Sequence, residues 1–248
     1  MSIESSLAIQ SYCFRGFNSN KEVAEKVREV GLSAVEPYQG HIDFSDEAAC
    51  ESALSVYSSA GIKIVSCGVN TISEDGKDPE CFFRFAQRAG CSVISADIVP
   101  PAAWEVFGVV EKLAEKYNVD VALHNHGGSH WLGNAQMLET VFKRTNSRIG
   151  LMLDTAWAID AREDPIELVK RFSGRIKGVH LKDFLYSSQR EPEDVVIGTG
   201  ILNLPLLVKT LKDQEFSGVA ILEYEGDVQH PVPALKKCVE AIKPVWKL

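Results

Sequence analysis

Residues 119–130 read VDVALHNHGGSH, a stretch that begins as a β-strand and ends as a site. Its first half alternates β-branched and other apolar residues, the composition of a pleated, buried segment. Its second half holds three of the chain's six histidines, His124, His126 and His130, around the paired glycines Gly127 and Gly128. A buried imidazole needs a partner for each ring nitrogen, so crowding three together is unfavourable unless something such as a cation takes up their lone pairs. The glycines let backbone pass close to a ligand with no Cβ in the way. The stretch therefore reads as a buried strand that delivers polar groups at its carboxyl end.

Working outward, the same kind of apolar run recurs at 7–14, 33–38, 62–69, 91–99, 148–154, 175–181 and 218–225, which makes eight with 119–126. Between and after them lie segments with helical spacing at 19–30, 45–60, 79–89, 103–117, 134–144, 165–172, 204–213 and 232–243. Ser45 and Asp46 mark one helix start, Pro79, Pro165 and Pro205 fall near first turns, and Gly31, Gly61 and Gly90 follow helix ends. Eight β-α units filling 248 residues predict an α/β fold of the (β/α)8 TIM-barrel kind, a single domain over 1–248. A doubly wound sheet is the alternative, but QSYCFRGF after the first strand has no GxGxxG phosphate turn.

Charge and composition narrow the function. The formal net charge is −8 and the pI about 5.3, with no run of Lys or Arg, so neither nucleic acid nor an anionic membrane is the expected partner. A small molecule is. No apolar stretch reaches the roughly 18 residues of a bilayer span, and MSIESSLAIQ lacks the basic and apolar regions of a secretory signal, which gives a cytoplasmic expectation. The six cysteines show no CxxC and read as reduced core thiols; Cys67 has no basic neighbour in sequence to activate it.

A barrel places catalytic residues at the carboxyl ends of its strands. Glu36 stands there on the second strand, His124 and His126 on the fifth, Asp154 on the sixth, His180 and Lys182 on the seventh, and Glu223 and Glu225 on the eighth. Two imidazoles and two carboxylates converging on the mouth suit a divalent cation of the Mn, Fe, Co or Zn kind, since nitrogen ligands disfavour Mg and Ca. Such an ion would hold adjacent substrate oxygens and stabilise negative charge as a C–H proton leaves, which is enolate chemistry. Glu225 is expected to lie exposed beyond its strand, His41 and His230 on the surface without partners, and Trp131 in packing.

GLMLDTAW (150–157), IKGVHLKDF (176–184), GTGILNLPLLVKTL (198–211) and AILEYEG (220–226) carry a resemblance. Together they are similar to the sugar phosphate isomerase/epimerase family, the xylose isomerase-like TIM barrels. The resemblance implies one metal ligand from each of strands five to eight, with Asp154, His180 and Glu223 at three of the positions. His124 stands at the fourth, where many relatives have glutamate, with His126 or a residue elsewhere as the alternative. The HNH run and the tryptophan of DTAW resemble the inosose dehydratase-like branch.

The roles that follow are Glu223 as one acid/base, His126 or Glu36 as the other, and Lys182 as the group that polarises a carbonyl or neutralises an enolate oxygen. Trp157, Asn125 and Arg15 are the expected substrate contacts. Three functions compete: an isomerase or epimerase of a ketose or keto-sugar, phosphorylated or not; a dehydratase of a keto-inositol or keto-sugar; and a barrel that binds sugar or metal without turnover. Hydrolysis at abasic DNA is disfavoured by the acidic charge. The family resemblance also makes a homo-oligomer an open expectation.

Overall fold

The computed structural model describes residues 6–76, 78–100 and 103–246. Its strands are β1 (Leu7–Gln10), β2 (Ala34–Glu36), β3 (Lys63–Ile64), β4 (Asn70–Ile72), β5 (Val93–Ile98), β6 (Asp120–His124), β7 (Ile149–Asp154), β8 (Ile176–Leu181), β9 (Phe184–Tyr186), β10 (Pro192–Asp194) and β11 (Val219–Leu222). All but β9 and β10 join one nine-stranded sheet, in the order β3-β2-β1-β11-β8-β7-β6-β5-β4, with parallel pairing throughout.

The two ends of that order, β3 and β4, follow one another in the chain and are halves of one expected strand. Backbone hydrogen bonds from Val65 N to Val35 O, Gly68 N to Pro37 O and Ser95 N to Cys67 O carry pairing across the gap, so the cylinder closes. The strand is interrupted at Gly68, whose φ of 146° is closed to most side chains. A Cβ there would sit 2.2 Å from Ser95 Oγ.

Around the sheet run α1 (Asn20–Val30), α2 (Glu47–Ser59), α3 (Glu80–Ala89), α4 (Ala103–Tyr117), α5 (Ala135–Arg144), α6 (Thr155–Asp160), α7 (Pro165–Arg171), α8 (Leu204–Asp213) and α9 (Val232–Ile242). Side chains of Ser19, Asp46, Asn134, Asp164 and Asn203 accept hydrogen bonds from first-turn amides and fix five of the starts. The expected helical segments are present within two residues of their predicted ends. Helix α6 and the antiparallel β9–β10 hairpin are additions to that scheme.

Strand alternation sorts the side chains into two apolar groups. Leu7, Ile9, Val35, Val121, Leu123, Leu153 and Leu222 pack with helix residues such as Val23 and Leu207 in the main core. The residues between them, Ala8, Ala34, Val93, Ala122, Met152 and Ile221, form a separate small cluster, the filling of the cylinder. Two residues farther along the same strands, on the same inward face, come Gln10, Glu36, Ser95, His124, Asp154 and Glu223. The period of the strand thus stacks a polar layer on an apolar plug, at the carboxyl ends where the helices depart.

Among the described residues no helix is long and apolar enough to cross a membrane. All six cysteines are free and buried, and Cys67 is pushed well above the ordinary thiol range by burial.

Candidate metal centre

Four members of the polar layer meet. His124, Asp154, His180 and Glu223, all buried, each offer a ligand atom within 4.8 Å of the others. His124 Nε2 lies 3.2 Å from His180 Nδ1 and 3.5 Å from Asp154 Oδ2. Glu223 Oε2 is 2.8 Å from His180 Nδ1, yet it accepts no hydrogen bond. Asp154 Oδ2 and His124 Nδ1 are likewise buried without a hydrogen-bond partner. The two imidazoles share one hydrogen bond, but bare carboxylate oxygens of Asp154 and Glu223 beside them, in a place with almost no solvent, are unfavourable unless a cation fills the space between the four side chains. The N2O2 donor set fits a borderline transition ion, so the residues present fit the group that the sequence implied.

Electrostatics agree. Burial opposes a charge on His180, but the carboxylates of Glu223 and Glu36 outweigh it and push the imidazole up to about 10. Burial and the neighbouring His180 charge push His124 down to about 3, and burial lifts Asp154 to about 6. Glu223, despite burial, is held well below the usual carboxylate range by Lys182 and His180. The cluster thus draws positive charge to its centre, as an imidazolium when no ion is bound.

Supporting groups hold these side chains. Glu36, wholly buried, accepts from Gln10 Nε2 at 2.7 Å and Ser95 Oγ at 2.6 Å, and it lies 2.7 Å from His180 Nε2. It does not line the cavity and orients His180 from behind, where a role as the second base was expected. Asn125 also departs from expectation: its Oδ1 accepts Asp154 N at 2.8 Å and its Nδ2 donates to Asp154 O at 3.0 Å, so the amide fixes the backbone of Asp154 and is buried off the cavity wall. Asp154 Oδ1 accepts Trp157 N at 2.8 Å and starts α6, which leaves Oδ2 for the cluster. Arg15 turns to the backbone carbonyls of Tyr12 and Glu225 and stacks on the Tyr12 ring.

A cavity of about 330 Å³ opens beside the cluster, lined by Gln10, Tyr12, Tyr38, Gln39, Val69, His124, His126, Trp157, Glu223 and Glu225. Burial, then the neighbouring His124, pushes His126 down to about 3, so it is a neutral imidazole at physiological pH. Lys182 is fully buried below the Trp157 and Phe184 rings and pairs with Glu225, with Asp194 of β10 at 3.9 Å. Glu225 is thus a cavity residue and an ion-pair partner, not an exposed end. His41 is also partnered, 3.1 Å from Ser11 Oγ and 3.0 Å from Phe17 O, whereas His230 is exposed as expected. Trp131 packs with its indole N–H on Ile98 O.

Sequence reasoning missed Gln10, Ser95 and Tyr38. The first two were legible as polar residues on the inward face near strand ends; Tyr38 lies two residues past β2 and carried no such mark.

The Asp of the HLKD stretch organises a loop. Asp183 accepts from Gly198 N, Gly200 N and Leu202 N, at 2.9 to 3.0 Å. Gly127 gives a close approach to α6, since a Cβ there would meet Asp160 Oδ2 at 2.0 Å.

Comparison with known proteins gives the same architecture. The profile of the xylose isomerase-like TIM barrel family matches residues 24–245. The inosose dehydratase of Clostridium beijerinckii is 24% identical over 148 residues, 53% of this chain and 50% of that protein. The chain spans about half the length of the curated relatives it matches. A sugar phosphate isomerase/epimerase from Parabacteroides distasonis superposes with a TM-score of 0.76 at 17% identity, over 98% of this chain and 96% of that one. The probable 3-DHS dehydratase AsbF of Bacillus anthracis superposes with a TM-score of 0.75 at 13% identity, over 96% and 98%. The closed parallel cylinder, the polar layer at its carboxyl end and the profile match over most of the length together make this chain a member of the xylose isomerase-like TIM barrel family.

Proposed function

We propose that the chain is a divalent-cation-dependent isomerase or epimerase that removes and returns a proton beside the carbonyl of a ketose or keto-sugar. One observation carries the reading: four buried ligand atoms aimed at a shared point, two of them carboxylate oxygens with no hydrogen bond, on the wall of a cavity of small-ligand size. When bound, the cation supplies the positive charge that stabilises an oxyanion as the neighbouring C–H bond breaks.

The chain's own residues do the rest. Glu223 belongs to both the cluster and the cavity wall and stays ionised at neutral pH, so its carboxylate is placed to take the proton and give it back. His126, neutral, offers one N–H or one lone pair to a hydroxyl group on the other part of the wall. Lys182 balances the carboxylates from beneath, and the Trp157 face gives the sugar ring a platform. Glu36 and Asn125 act through His180 and Asp154.

A second reading, dehydration of a keto-inositol or keto-sugar, is favoured by Trp157 on the cavity wall, the His124-Asn125-His126 run and the inosose dehydratases among the relatives. It shares the first step and differs in expelling a β-hydroxyl. Incubation with Mn or Co and a panel of keto-sugars and inososes in D2O, followed by NMR and mass spectrometry, separates the two. Deuterium next to the carbonyl of an intact skeleton supports isomerisation, and loss of water supports dehydration. A cation-loaded protein that exchanges no proton of any bound sugar overturns both and leaves a binding barrel.

A further inference from the structure

A second group of ligand-type side chains stands beside the four-residue cluster, and of its members only His126 enters the reading above. Asp97 in β5 and His126 and His130 in the loop after β6 offer ligand atoms that all lie within 4.8 Å of one another. His130 Nε2 is 3.1 Å from Asp97 Oδ1, but that buried oxygen accepts no hydrogen bond. His126 Nδ1 is also buried without a partner among the described residues. The His126 ring centroid is 4.9 Å from that of His130 and 4.5 Å from that of His124, so it stands between the two groups. The Asp97–His130 ion pair gives Asp97 Oδ1 a polar neighbour but leaves His126 Nδ1 bare, which is costly to bury. A cation between the three side chains would engage both atoms.

We propose that Asp97, His126 and His130 form a second divalent-cation site that shares the cavity wall with the first. Two imidazoles and one carboxylate select an ion of the Zn, Co, Mn or Fe kind, and three protein ligands leave positions open for water or a substrate oxygen. The side chains of Asp97 and His130 are 18% and 22% exposed, which gives the ion a way in. The site carries one handicap. His130 Nδ1 accepts the Leu132 amide at 3.2 Å, and ligation through Nε2 moves the ring proton to Nδ1 and ends that contact. With three ligands and that exchange to make, the second site is the weaker and fills after the first.

The test is titration of the metal-free protein with Co2+ alone, followed by visible d–d absorption, with cobalt per chain measured after equilibrium dialysis. Wild type is expected to bind two ions in unequal steps. The variants H130A and D97N should lose the weaker step and keep the stronger; D154N should do the reverse. Thermal unfolding of each metal-free variant checks the fold, and D97N, isosteric with the native residue, guards against collapse of the loop in H130A. One ion per chain at saturation, or a second ion that survives both H130A and D97N, overturns the proposal. Unchanged binding in D154N would instead count against the four-ligand cluster, so the two failures are told apart.

Discussion

Glu36 shows how a residue governs chemistry it never touches. Its Oε2 lies 2.7 Å from His180 Nε2 and also accepts from Gln10 Nε2, so E36Q can keep an oxygen at that point but removes the negative charge behind the imidazole and turns its N–H2 to Ser95. Loss of such an orienting partner commonly weakens metal affinity about 10- to 100-fold. We expect that drop for E36Q, read by competition with a chelator, with the fold retained. His180 itself makes ion binding depend on pH. Its imidazole rises from an ordinary 6.5 to about 10 in the folded, metal-free chain. That proton's stabilising contribution is fully present below about 6.5 and is lost as pH climbs through about 10. Because the cation displaces the same proton, loading at pH 8 should release about one proton and gain roughly tenfold in apparent affinity per pH unit between 7 and 9. Calorimetry in buffers of different ionisation enthalpy measures the release; heats that do not change with buffer contradict it.

At the scale of elements, the split third strand ties fold to site. Gly68 lies against Ser95, whose hydroxyl in turn donates to Glu36. G68A should therefore destabilise the chain by about 2–4 kcal/mol, from the clash and the unfavourable φ together, as chemical denaturation would measure. The strand's interruption could not be read from IKIVSCGV, because the apolar pattern continues through it and only the fit against Ser95 breaks it. The helices, by contrast, announced themselves through caps and 3.6-residue spacing, which are local. Helix α6 had a local signal too, the Asp154 carboxylate three residues before Trp157, obscured because the same aspartate reads as a ligand. The site divides in the same way. His124, Asp154, His180 and Glu223 were legible because barrel topology brings strand ends together whatever the loops do. The roles of Asn125, Glu225 and His41 were hidden because their partners, Asp154, Lys182 and Ser11, are fixed by side-chain packing and not by position along a strand.

For the molecule as a whole, the four ligands come from four strands spread between residues 124 and 223, and they converge only when the cylinder is closed. An ion held by them binds the folded state and not the open chain. At a free concentration of about 100 times Kd it should add about 2.7 kcal/mol, a rise in Tm of roughly 5–10 °C for a chain this long, visible by calorimetry. H180A should show no such rise. The same closure has a chemical consequence for the six buried thiols, which are spaced from residue 13 to residue 238 and have no disulfide among them. Each is shielded by the shell in which it sits, so alkylating reagents meet sulfur only when that shell opens. A chain that unravels in air gains several nucleophiles at once and can lock itself into wrong crosslinks, so recovery from denaturant will depend on the presence of a reductant.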